Sequence, residues 1–202
     1  MTIKYQFVPN DTATTRDGVT LHRIRALVDI PRHGVTSGDY GGYIESSDNL
    51  SHTGDSWVDD EAWVEGSARV YGDALVCNRA HISQSAEIYG VAVVCDYAQI
   101  SGRARIHGAA LVSADSMVNG SANVSGHSHI TGCCCVGGNA YVFDRAVIDD
   151  TVRVSGNVYV FGTQRLTGSA YYTGTRIVSD TVAPRVKSKK YWATPKHRAV
   201  KQ

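Results

Sequence analysis

Arg69-Val70-Tyr71-Gly72-Asp73-Ala74-Leu75-Val76-Cys77-Asn78-Arg79-Ala80-His81-Ile82-Ser83-Gln84-Ser85-Ala86 holds one six-residue unit three times over: an aliphatic residue, a turn-prone position two places later and alanine two places after that. The phase continues in both directions. From Val58 to Val178 an apolar residue stands at every sixth position without a slip, and 20 of these 21 positions are Val, Ile or Leu, with Tyr172 the exception. Two places after the first 20 of them lie 13 Gly and five Asp or Asn, so the unit reads V-x-G-x-A-x. A helix cannot use this period, because six residues do not match a 3.6-residue turn and each internal Gly would cost about 1 kcal/mol. A short strand followed by a glycine-assisted corner satisfies every position. Hexapeptide periods of this kind predict an all-β fold, a left-handed parallel β-helix.

In that fold three hexads close one triangular coil and residues 18 apart stack. Val58 to Val178 then makes nearly seven coils, a prism about 33 Å long at the usual strand spacing. Its interior is a column of Val and Ile, with Ala where space is short, and each buried aliphatic is worth roughly 1.5–3 kcal/mol before ordering costs. Residues 1–43 lack the hexad. Apolar runs at Tyr5 to Val8 and Thr20 to Ile30 predict short strands of a cap over the first coil, since an open β-helix end exposes unpaired backbone. The helix occupies 44–179: Ile44 and Leu50 begin the spacing, and a two-residue insertion near His52-Thr53 precedes the strict run. Residues 180–202 form a basic tail with seven Lys or Arg, including Arg185, Lys187, Lys189 and Lys190.

The formal net charge is +1, so no global field points to nucleic acid; only the tail offers such a contact. No run of 18 apolar residues occurs and Met1 to Phe7 lacks a signal-peptide core, which predicts a cytoplasmic protein with no membrane partner. The five cysteines, Cys77, Cys95 and Cys133-Cys134-Cys135, form neither a disulfide framework nor a CxxC pair, and are read as reduced.

The N-terminal third carries a second pattern: Leu21-His22-Arg23-Ile24-Arg25-Ala26-Leu27, Gly38-Asp39-Tyr40-Gly41-Gly42-Tyr43-Ile44-Glu45, Leu50-Ser51 and Gly54-Asp55-Ser56-Trp57-Val58. Followed by repeats such as Ala68-Arg69-Val70-Tyr71-Gly72-Asp73-Ala74, this resembles the YdcK-type left-handed parallel β-helix proteins of bacteria and phages, over about residues 20 to 178. The resemblance implies the fold and a phage or prophage origin, with action on a host component in the host cytoplasm. That group carries a transferase label because hexapeptide acyltransferases share its fold. Here Gly lies two places after the aliphatic, whereas those enzymes place it one after, and fold alone does not confer activity.

The candidate bases for acyl transfer are His81, His107, His127 and His129, all predicted to point outward. The unbroken register leaves no room for an acceptor-site loop, and nothing in the sequence pairs a histidine with an acid. No catalytic residue, metal site or cofactor is therefore expected. The three faces differ more usefully. One carries an apolar outward strip, Leu75, Cys77, Val93, Cys95 and Leu111, too apolar to be left wet; a homo-oligomer contact, dimer or trimer, is favoured over cover by the cap. Another carries an aromatic ladder, Tyr71, Tyr89, His107, Phe143 and Phe161, flanked by Tyr141 and Tyr159. It either only supports neighbouring coils or forms a docking surface for a protein. The third, with Glu65, Ser83, Ser101, Asn119 and Ser155, is polar and predicted to meet solvent. The sequence thus reads as a non-enzymatic β-helix interaction protein that oligomerises and binds a host protein through an outer face. The alternative is a CoA-dependent hexapeptide-type acyltransferase.

Overall fold

Each hexad yields a strand of two residues, as at Leu75–Val76, Val93–Val94 and Leu111–Val112. The computed structural model describes residues 3–179. The rungs pair in parallel with an 18-residue step, Val76 with Val94 and Val94 with Val112. The Leu75 N–H donates to Ala92 O at 3.0 Å and the Val93 N–H to Ala110 O at 2.9 Å. Three parallel stacks result, and the chain forms a three-sided β-helix.

The corners explain the turn formers. Every position two places past an aliphatic, from Asp60 to Gly174, has positive φ. Glycine enters this region without steric cost and Asp or Asn at a small one. Gln84 and Ala114 break the composition but not the geometry, with φ of 60° and 57°. Where an Asx residue or Gln84 stands at a corner, its side chain accepts from the backbone N–H of the corner one turn on: Asp60 from Asn78 (3.1 Å), Gln84 from Gly102 (2.9 Å), Asp96 from Ala114 (2.9 Å) and Asp150 from Gly168 (2.8 Å). A polar ladder therefore runs up the outside of the corners.

Inside, the aliphatics from Val58 to Val160 are buried, and so are the alanines two places before them. Among the six such sites that lack alanine, Ser116, Ser128 and Cys134 are also buried. Each donates to the carbonyl three residues back, Ser113 O at 2.7 Å, Ser125 O at 2.8 Å and Thr131 O at 2.8 Å, so no buried hydroxyl or thiol is left unpaired there. All five cysteines are free thiols.

The N-terminal strands are β1 (Tyr5–Thr14), β2 (Thr20–Ala26) and β3 (Tyr40–Ile44). β1 outruns the expected Tyr5–Val8 by way of an irregularity between Phe7 and Thr12. β2 stops short of Ile30, where the chain turns into a 3-10 helix opening on Pro31. β1 and β2 pair antiparallel, as do β2 and β3, and β3 runs parallel to Trp63–Val64. One face is thus a ten-stranded sheet, the other two having seven strands each. Removing β1 and β2 leaves eight parallel rungs, so the solenoid has about eight turns. The extra turn comes from Ile44 and Leu50, the latter bridged to Val70.

Close packing of this end explains Gly41-Gly42. A Cβ on Gly41 would lie 2.5 Å from Val58 O and 2.6 Å from the Trp57 ring, and one on Gly42 2.5 Å from Ala62 O. Trp57, Ile24 and Ile30 join the cap to the core of the turns and are fully buried. The inserted loop is latched by Lys4, itself 3 % exposed, whose ammonium donates to Gly54 O (3.2 Å), Ser56 O (2.6 Å) and Ser56 Oγ (3.1 Å). Asn49 closes the corner beside it, donating to Gly66 O and Ala68 O at 3.0 and 2.8 Å.

Candidate functional site

With the aliphatics turned inward, the residues just before and after each one point outward, and each face carries two columns of 18-residue step. Two kinds of neighbour follow. Residues 18 apart stack directly. Residues 16 apart, one following its aliphatic and the other preceding the aliphatic one turn on, meet diagonally, as in His107 Nε2 with Asn123 Oδ1 (3.1 Å) and Arg165 with Asp149 (3.0 Å).

On the aromatic face the direct stack is close to ideal. Tyr71 and Tyr89 lie 4.9 Å apart with planes 3° from parallel, and Tyr89 and His107 4.7 Å apart at 7°. Phe143 and Phe161 follow at 4.9 Å and 10°, and Tyr141 and Tyr159 at 5.1 Å and 4°. Each stacked pair is worth roughly 0.5–1.5 kcal/mol beyond its area. The members differ in access. Tyr71, Tyr89, His107 and Phe143 are half-buried, and burial pushes the Tyr71 hydroxyl pKa up. Phe161 is not on the surface: it is only 4 % exposed, inside a five-residue strand, Asn157–Phe161, paired along its length with Thr175–Ser179. The exposed aromatics of this face are Tyr141 and Tyr159, joined by Ile177 one turn beyond Tyr159. Ile177 was legible only as the next residue of that column.

The apolar strip is where the sequence placed it. Leu75, Val93 and Leu111 stack in register and, with Cys77 and Cys95, are half-buried. The cap extends a different sheet and buries Trp57 at the head of this face.

The expectation that no histidine has an acid partner is wrong for His81. Its Nε2 lies 2.8 Å from Glu65 Oε1, a diagonal pair of spacing 16. Glu65 is accordingly half-buried beside the imidazole rather than free in solvent, and the Trp63 ring meets the imidazole edge-on at 6.0 Å. A groove of about 520 Å3 adjoins the pair, lined also by Asp17, Glu45, Gln84, Gln99 and Asn119. His127 and His129 are exposed. Among the described residues no three His, Cys, Asp or Glu side chains are placed to hold a metal ion, and no helix is long and apolar enough to cross a membrane. The basic residues Arg185, Lys187, Lys189 and Lys190 lie outside the described residues.

No protein-family model matches this chain, and no curated protein matches its sequence. The β-solenoid stands on the chain's own register.

Proposed function

We propose that this chain is a non-enzymatic interaction protein, a rigid three-sided rod that binds a protein partner through its aromatic face and joins copies of itself through its apolar strip. One observation carries the reading. Tyr141 and Tyr159 stack in parallel and yet remain 40 % and 39 % exposed, with Ile177 at 41 % continuing the column. Exposed tyrosines are typical anchors of protein contacts, and among the stacked rings of the described residues this pair alone has both members exposed. Kinship with the YdcK-type proteins, which rests on the residue pattern between 20 and 178, belongs to the same proposal. So do a phage or prophage origin and a partner in the host cytoplasm.

Tyr141→Ser with Tyr159→Ser tests it. Loss of about 2 kcal/mol at a docking anchor corresponds to roughly 30-fold weaker binding. A photocrosslinker at position 123, paired with Tyr141 in the neighbouring rung, should capture one defined protein in producing cells, and the double variant should lose that capture while keeping its melting temperature. Retained capture with a lower melting temperature would reduce the tyrosines to scaffolding.

A second reading, CoA-dependent acyl transfer, is favoured by His81 and Glu65: an imidazole held by a carboxylate beside a groove is arranged to accept a proton from a hydroxyl or amine. Acetyl-CoA at 100 times its dissociation constant would stabilise such an enzyme by about 2.7 kcal/mol. No shift at any concentration removes this reading.

A further inference from the structure

Of the five cysteines only Cys77 and Cys95 are 18 residues apart, and so only they share a column on neighbouring turns. Residues 18 before Cys133, Cys134 and Cys135 are Asp115, Ser116 and Met117. Cys77 and Cys95 follow the paired residues Val76 and Val94, and their N–H groups donate to Val94 O and Val112 O, each at 3.0 Å. Both side chains point outward and are half-buried. Adjacent strands lie about 4.8 Å apart, inside the 4.4–6.8 Å range over which a disulfide spans two Cα atoms. The same column measures the reach of its own side chains one step further on, where Ser113 Oγ lies 3.3 Å from Thr131 Oγ1.

We propose that Cys77 and Cys95 are a redox-active vicinal dithiol that closes into a disulfide between turns when a hydroperoxide oxidises it. The two thiols stand side by side on neighbouring turns, so the sulfur of one is the nearest partner for the sulfur of the other. One thiolate attacks a peroxide oxygen; the O–O bond breaks, a sulfenic acid forms and the departing hydroxide takes a proton to become water. The second sulfur then attacks the first. An S–S bond forms, the S–OH bond breaks, and the hydroxide leaves with the second thiol's proton as another water. The two sulfurs give up two electrons and the peroxide takes two.

Geometry sets the character of the bond. Parallel neighbours hold their side chains side by side at the full strand spacing, wider than the Cβ separation a relaxed disulfide prefers. A bond formed there is strained and readily reduced, the signature of a reversible disulfide rather than a structural one. Cys134 is unsuited to this chemistry, since it is buried, donates to Thr131 O, and burial pushes its pKa up to about 12, while Cys133 and Cys135 have no cysteine 18 residues away.

The pair lies in the strip assigned to self-contact, so the test uses full-length reduced protein, diluted until light scattering gives the monomer. Stoichiometric hydrogen peroxide should produce a Cys77–Cys95 cross-linked peptide, lighter by two hydrogens and restored by mild thiol. Cys77→Ser or Cys95→Ser should leave a sulfenic acid at the remaining thiol that a cyclic dione labels, and neither variant should form the cross-link; Ser113 in the next rung shows that serine fits the column. Over-oxidation of either thiol in the wild type without a cross-link, or linkage through Cys133 or Cys135 instead, overturns the inference.

Discussion

Ala114 occupies a left-handed corner with φ of 57° and has no acceptor to offer the Gly132 N–H above it. Its column runs Asp60, Asn78, Asp96, Ala114, Gly132, Asp150, Gly168, and the three residues before Ala114 each bond the next corner's N–H. A non-glycine residue in this conformation costs about 1 kcal/mol, less for Asn, whose side chain tolerates it. Ala114→Asn should therefore relieve strain and extend the ladder to Gly132. The expected gain is about 1 kcal/mol, a rise of roughly 2–4 °C in melting temperature for a domain of this size. An unchanged or lower melting temperature would show that the corner ladder contributes nothing to stability. Position Gly126 makes the converse case, since its Cβ would lie 2.7 Å from Asp144 O.

At the scale of elements, the rungs and the cap differ in how far the sequence reveals them. A rung such as Val93–Val94 is visible in the sequence because its inward side chain, its corner and its neighbours 18 residues away are all set by one period. The Glu65–His81 pair was missed for a related reason: a search for an acid at the histidine's own column looks 18 residues away, while strand pairing also brings residues 16 apart together. The cap has no period, so its path through β1, β2 and β3 was legible only as apolar runs. Its latch, Lys4, carried no sequence signal at all. Burial depresses the Lys4 pKa from 10.5 to about 8. An unfolded chain keeps that proton up to about pH 10.4, so between pH 8 and 10.4 the unfolded state binds more protons and unfolding becomes harder as pH rises. The contribution is fully present above the unfolded pKa and is lost as pH falls through about 8. Lys4→Met removes the titration and strands three acceptors, at a cost of about 1–3 kcal/mol at neutral pH. Denaturant unfolding of the two proteins should differ by more at pH 10 than at pH 7. A constant difference would mean that the amine stays charged in the fold.

For the whole molecule, a solenoid has ends and faces, and the chain treats them differently. One end is closed by antiparallel strands that continue the ten-stranded sheet. Among the described residues nothing closes the face built on Leu75, Val93 and Leu111, and further along the column His129 and Arg165 restore polarity one and three turns after Leu111, with Val147 between them. Apolar side chains on three successive turns bury one another's flanks but leave their tips outward, and a second copy presenting the same strip would cover them by a two-fold or three-fold arrangement. Val93→Arg with Leu111→Glu places opposite charges in adjoining rungs, where they can pair within one chain. The β-helix should then keep its fold while the contact is lost. Light scattering should give an oligomer for the wild type and a monomer for the variant, with far-ultraviolet circular dichroism unchanged. A wild type that is monomeric at high concentration would remove self-association from the proposed function and leave the aromatic face as the rod's docking surface.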